Sequence, residues 1–427
     1  MRNPYVTGAY VTGGKHYGRQ DQIDHLLHGE SCAYWVIGNR RIGKTSLLRQ
    51  LEALALTEGR YVPLVWDMQG CDTFRQLGQY LADAVRDCSD RFEPLGLAPA
   101  IRLPEDVLTL LGTLKRAGRQ AGRDVLLLCD EPEVLIEIAW KAPAGMQRLH
   151  HVLTSGDGLR VVAASTRTMY RMDDVCRSWP TSTFLAGFDM SQTLGGLDER
   201  NAHALISQAQ AEEPVRAAAE VVEAIRNCTN SHPYLMQYLC SRLFQANGRL
   251  RAPQDSDLSV DPLLRGFFKN DFGTLSEADR KIVLGVHRAG LIDERSLMSV
   301  VSETPGEIRS RLRNLEALGH IRRSHDRYAL GNQFLSNWLS AGPSALDGVL
   351  PPQTSETAMH SALARQQAEE LNFLVSKLNA RRGQLVELEA VRARDLLAVS
   401  PQVLAEIDQL QEEIRQLRNN VDEIRSL

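Results

Sequence analysis

Cysteine is sparse in this 427-residue chain and is nowhere paired. The seven thiols, Cys32, Cys71, Cys88, Cys129, Cys176, Cys228 and Cys240, form no Cys-x-x-Cys unit and no cluster with histidine. An odd, dispersed set reads as reduced thiols rather than a disulfide framework. No apolar run approaches membrane-spanning length, and no apolar signal region opens the chain. The expectation is a cytoplasmic protein with no membrane partner. A formal net charge of −4 gives no global attraction to nucleic acid or acidic lipid, so any such binding would be local. The length exceeds what one core supports and implies two or three domains.

The strongest positive feature is Gly38-Asn39-Arg40-Arg41-Ile42-Gly43-Lys44-Thr45, a complete G-x-x-x-x-G-K-T loop. It follows the apolar run Ala33 to Ile37 and opens a stretch of helix formers from Ser46 to Leu56. In that strand–loop–helix setting the glycines let successive N–H groups turn inward on phosphate oxygens, and the helix start adds its positive dipole end. Lys44 would reach the β- and γ-phosphates, and the Thr45 hydroxyl would ligate Mg²⁺.

Further short aliphatic runs follow at Tyr61 to Trp66, Val125 to Cys129 and Val161 to Ala164, with a weaker one at Thr183 to Phe188. Runs apolar on both faces and alternating with helices imply a parallel sheet covered on both sides, with ligands at the carboxyl ends of its strands. The run at Val125 ends in Asp130-Glu131. Asp130 fits the Mg²⁺ carboxylate, and Glu131 fits the group that orients and deprotonates the attacking water. The run at Val161 ends in Ser165-Thr166-Arg167. Its strand is expected between the P-loop strand and the acidic one, so that Thr166 or Ser165 faces the γ-phosphate and helps position water. Asp67 ends the second run at the same height and suits a loop or cap role. Arg167, Arg171 and Arg177 are candidates for an extra cation on the transition state.

The segment Asn3-Pro4-Tyr5 … Gly8 … Val11 … Tyr17-Gly18-Arg19 … Ile23 … Leu26, with the loop and Ser46-Leu47-Leu48 after it, resembles the STAND-type signalling ATPases. It is also similar to the related archaeal ATPases and origin-recognition initiators of the AAA+ superfamily, and the likeness spans residues 3–340. The resemblance implies an α/β P-loop NTPase with an ASCE/AAA+ type parallel sheet. It places Gly18 and Arg19 against the adenine and a lid segment on the nucleotide. Ser231-His232-Pro233-Tyr234 is similar to that lid segment, with Ser231 where a glycine is usual, and nominates Pro233 and, as a sensor, His232. No guanine-reading Asn-Lys-x-Asp segment is present, so ATP is the expected nucleotide.

The expected domains are a nucleotide domain over 1–195, a helical lid over 196–260 and a winged helix over 261–341. The lid reads as helices over Asp198 to Ala211, Pro214 to Cys228 and His232 to Asn247, with Asp198 as a cap and Pro214 at a first helical position. A polar linker spans about Gly248 to Asp261. In the winged helix, Ser276 or Thr274 caps a helix ending at Gly290, and a short helix lies near Ser296 to Val301. Another helix starts at Pro305, and a hairpin turns around Ser324-His325-Asp326. Arg309, Arg311, Arg313, Arg322, Arg323 and Arg327 would contact DNA if the module grips duplex. The acidic residues among them (Glu303, Glu307, Glu316, Asp326) favour a protein contact instead.

A Pro/Ser-rich linker over 342–357 precedes a tail, 358–427, of different composition. Val403, Ile407, Leu410, Ile414, Leu417, Val421 and Ile424 alternate spacings of four and three, the pattern of a coiled-coil seam. Leu371, Leu374, Leu378, Leu385 and Leu388 keep the same seam before the Ser400-Pro401 break. An antiparallel helical hairpin is expected there, for a protein partner or self-association. The whole chain reads as an ATP-hydrolysing regulatory switch, with a DNA-binding loader or initiator as the alternative.

Overall fold

The computed structural model describes residues 2–97, 104–176, 184–298, 301, 303–341, 409, 413 and 416. Two compact units are present, Met1–Ala345 and Leu346–Leu427. In the second unit Gln409, Glu413 and Gln416 are helical, and Gln409 Nε2 donates to Glu413 Oε1 one turn on. The seam residues of the expected hairpin lie outside the described residues.

The first unit is built on a parallel sheet that has five strands among the described residues: β1 (Ala33–Gly38), β2 (Tyr61–Asp67), β3 (Asp124–Asp130), β4 (Leu159–Ser165) and β5 (Thr193–Leu194). Their order is β2-β3-β4-β1-β5. Side chains alternate across each strand. Trp35, Leu64, Trp66, Leu127 and Val161 pack into one core with the helices Phe74–Asp87, Val107–Ala121 and Pro143–Thr154. Tyr34, Val36, Leu126, Leu128 and Val162 pack into the other with the helices Gln20–His28 and Lys44–Glu58. Both faces are therefore apolar, which is why the strands read as unbroken hydrophobic runs. The added strand β4 lies between the P-loop strand and the acidic strand, as expected. The pairs Ile37–Ser165, Asp130–Ala164 and Asp67–Asp130 bring the strand ends to one edge.

The expected strand at Thr183 to Phe188 is absent among the described residues. Phe184 to Gly187 form a turn, and the fifth strand is Thr193–Leu194. In a strand, residues four apart would be separated by roughly 13 Å. Here the Phe184 and Phe188 rings are 6.2 Å apart and both meet Trp35 edge-on. The pair plugs the end of the core rather than extending the sheet.

Asp198 caps the first lid helix, Glu199–Ser207, by accepting from the Asn201 N–H. The second lid helix runs Ala219–Thr229, so Pro214 does not start it. The chain around Pro214 is engaged elsewhere: the Val215 N–H donates to Ser207 and Arg216 bridges to Arg249. The third lid helix is Pro233–Leu243. Between Gly248 and Asp261 lies a short turn, Asp255–Leu258, held by a bidentate Arg251–Asp257 pair.

A connecting helix, Pro262–Gly273, leads to the helices Glu277–Ala289, Glu294–Met298 and Pro305–Ala317. A small antiparallel sheet joins them, formed by β6 (Ile292–Asp293), β7 (Ile321–Ser324) and β8 (Arg327–Leu330) in the order β6-β8-β7. This is the element order of a winged helix. Ser276 and Thr304 cap their helices, the latter in a capping box with Glu307. The last helix, Gln333–Ser340, places Trp338 on Phe268 and Phe272 of the connecting helix.

Candidate nucleotide-binding site

The phosphate loop closes on itself. Gly43 adopts φ 104°, a conformation that only glycine takes readily, and caps the helix that starts at Lys44. A Cβ on Gly38 would stand 2.7 Å from Ile42 Cγ2 and 3.1 Å from Leu194 Cβ. Lys44 is buried, and its Nζ donates to the Gly38 and Asn39 carbonyls at 3.3 and 3.1 Å. Burial draws the Lys44 pKa down, opposed by Glu133, Glu131, Asp130 and Asp271. The Thr45 hydroxyl donates to Asp130 Oδ2 at 2.7 Å. The two groups expected to share a cation are thus side by side.

Burial raises the pKa of both Asp130 and Glu131; for Asp130 the Thr45 bond and Lys44 oppose it. Glu131 sits at φ 52°, and its side chain lines the cavity described below. Thr166, at the tip of β4, is buried. Both its N–H and its hydroxyl donate to Glu133 Oε1, at 2.5 and 2.6 Å. Glu133 was not foreseen from sequence, although a third carboxylate two residues beyond Glu131 was a visible signal. Asp67 accepts from the Gln69 N–H at 2.9 Å in a local turn.

A cavity of about 970 Å³ opens over the loop. Arg19, the span Arg40, Arg41, Ile42, Gly43, Lys44, Thr45 and Ser46, Glu131 and Pro233 all face it. Gly38, Asn39 and Gly18 do not line it, and Gly18 and Arg19 form a left-handed bend. The Arg19 guanidinium donates to the Gly195 carbonyl, and burial lowers its pKa to about 10. Ser46 Oγ accepts from the Val11 N–H, tying the N-terminal segment over the cavity. The lid contributes Tyr234, whose ring lies under the Arg41 guanidinium at 4.5 Å. Asn230 and Ser231 both adopt φ near 50°, which is why glycine suits the Ser231 position. His232 caps the Pro233–Leu243 helix through Nδ1, and burial lowers its pKa to about 3.

The outer side of the loop meets the winged helix. Asn39 Nδ2 donates to the Leu318 carbonyl at 2.7 Å and lies 3.0 Å from His320 Nε2. Burial raises the pKa of Asp271 on the connecting helix, opposed by His320, the Arg40 backbone and Lys44, and Asp271 Oδ2 is 3.8 Å from His320 Nδ1. Leu318, His320 and Asp271 had no local signal in the sequence. Arg167 reaches the same module, 3.6 Å from Asp279, which Arg311 also binds at 3.1 Å. Arg171 is exposed and Arg177 lies outside the described residues.

The cradle can hold a nucleotide's polyphosphate, with backbone N–H groups and Lys44 toward the phosphates and two carboxylates toward the terminal one. Among the described residues no group of three or more His, Cys, Asp or Glu could hold a metal by itself. A cation shared between Thr45, Asp130 and bound phosphate fits that donor set.

No family model matches this chain, and no curated protein matches it. Among solved structures it is similar to a Walker-type ATPase of Pyrococcus abyssi, at 12% identity and a TM-score of 0.56, covering 78% of this chain and 98% of that one. The ORC2 protein of Aeropyrum pernix aligns at 15% identity and a TM-score of 0.44, over 77% and 90% of the two chains. Cdc6p of Pyrobaculum aerophilum aligns at 14% and 0.38, over 78% and 95%. Strand order, loop and likeness together make this the fold of the AAA+ P-loop NTPases.

Proposed function

We propose that this chain is an ATP-binding and hydrolysing switch whose winged helix senses the nucleotide through the phosphate loop. The observation that carries the reading is the contact of Asn39, within the loop, with Leu318 and His320 of the winged helix. A γ-phosphate pulling Lys44 off the Gly38 and Asn39 carbonyls would disturb the very residue that holds the winged helix. That is a differential interaction of the kind a two-state switch needs.

Hydrolysis follows from the same residues. Glu131 takes a proton from water as its oxygen bonds the γ-phosphorus, and the bridging P–O bond to ADP breaks. Lys44 and the loop N–H groups hold the phosphate charge. Thr45 and Asp130 would hold Mg²⁺, which when bound neutralises charge on the phosphates. Arg19, Pro233 and the lid close over the base and sugar. The tail, 358–427, is assigned to a protein partner or self-association on its heptad spacing. Phosphate release from ATP should be measurable for the wild type and absent for Lys44→Ala. Wild-type protein that binds no ATP refutes the reading.

A DNA-gripping role draws on exposed Arg313 and Arg327, whereas Arg309 is paired with Glu294 at 2.7 Å. Arg311 does not support it, being held by Glu303 and Asp279. Salt-dependent duplex binding lost on Arg313→Ala would favour it.

A further inference from the structure

We propose that Glu133 is a positioning residue that makes Thr166 the acceptor for one hydrogen of the attacking water. The inference rests on the hydrolase reading above. Glu133 Oε1 accepts from the Thr166 N–H and from the Thr166 hydroxyl. A threonine hydroxyl has one proton, so with that proton committed Oγ1 offers only lone pairs.

A water that attacks phosphorus must aim a lone pair at it, and both its hydrogens then need acceptors. Glu131, facing the cavity, takes one as a proton. Thr166 Oγ1 takes the other as a hydrogen bond, and that hydrogen stays on the product phosphate. The phosphorus–oxygen bond forms, the bridging bond to ADP breaks, and no further reactant is needed. Were Glu133 missing, the Thr166 hydroxyl could turn and donate to the water, leaving the water's second hydrogen without its acceptor and its orientation unfixed.

Two further observations place Glu133 at this step rather than in scaffolding alone. Its second oxygen, Oε2, is buried without a hydrogen-bond partner, whereas buried carboxylates in purely structural roles are normally satisfied. Among the carboxylates acting on Lys44, Glu133 is the strongest, ahead of Glu131 and Asp130. Its charge thereby opposes the fall in the Lys44 pKa that burial causes.

The test uses the full chain, with phosphate release, ATP affinity by calorimetry and hydrogen exchange at the Thr166 amide. Glu133→Ala should lower kcat by about a hundredfold with KM and ATP affinity unchanged, the loss typical of a misplaced reactant. Exchange at the Thr166 amide should accelerate. Glu133→Gln keeps a carbonyl acceptor and should retain most of the turnover. Thr166→Val should lose as much as Glu133→Ala, Thr166→Ser should not, and the double variant should be no worse than either single one. Wild-type kcat in Glu133→Ala, or losses that multiply in the double variant, would overturn the proposal. If Glu133→Ala does not fold, wild-type turnover in Thr166→Val overturns it equally. Wild-type protein that binds ATP without turnover refutes the hydrolase reading and this inference together; turnover insensitive to Glu133 refutes only this one.

Discussion

The side-chain amide of Asn39, the residue after the first glycine of the phosphate loop, donates to the carbonyl of Leu318 at 2.7 Å across 279 positions of sequence. The bond orients the amide, and an amide nitrogen only donates, so His320 Nε2 beside it must accept. His320 is therefore neutral with its proton on Nδ1, toward Asp271.

Asn39→Ala should leave the Leu318 carbonyl and the His320 nitrogen without their donor. A loss of about 1–3 kcal/mol is expected, read as a lower urea midpoint with an unchanged slope. Asn39→Asp should be worse, because a carboxylate would face a carbonyl oxygen.

Acid should destabilise the first unit through its buried histidines. Burial lowers the pKa of His320 and takes that of His232 to about 3, against about 6.5 when unfolded. The unfolded chain then binds more protons below pH 6.5, so this stability is present above pH 6.5 and declines as pH falls toward the folded pKa. Between pH 6.5 and 5 the contribution of His232 amounts to about 2 kcal/mol. Denaturation at pH 7 and pH 5 should show a smaller difference in His232→Asn, whose side chain can still cap the helix.

Thr45→Val removes the hydroxyl that bonds Asp130. Nucleotide affinity in EDTA should stay near wild type, while the gain on adding Mg²⁺ disappears. A Mg²⁺ effect of wild-type size in the variant would refute the assignment of Thr45 and Asp130 as the cation pair.

Arg311→Ala should destabilise the winged helix. It strips one partner from buried Asp279 and the bidentate partner from Glu303; because Arg167 still faces Asp279 at 3.6 Å, the loss should fall below the roughly 3–5 kcal/mol of a buried charge left unpaired. A loss of duplex binding in that variant would say nothing about contact with DNA. Arg313, exposed on the same helix, is the proper probe.

The phosphate loop, the order of β1, β3 and β4, and the caps at Asp198 and Ser276 were legible because each is a local pattern with one physical solution. The run around Phe184 misled because apolarity marks burial, and two rings closing on Trp35 bury as well as a strand does. Pro214 misled because proline suits a first helical turn and a loop alike. Glu133, Asp271 and His320 were out of reach for a different reason. Their roles come from partners brought together by the fold, and Asn39 and His320 are 281 residues apart. The acceptor character of Thr166 likewise depends on Glu133, 33 positions away.

Hydrogen exchange over residues 315–331 in Glu131→Gln protein, with and without saturating Mg-ATP, tests the coupling of loop and winged helix most directly. ATP held without turnover should accelerate exchange at the end of the Pro305–Ala317 helix and across β7 and β8, as the Asn39 contact is released. ADP should leave it slow. Equal exchange in all three states, with ATP binding confirmed in the same samples, would contradict a winged helix that senses the nucleotide.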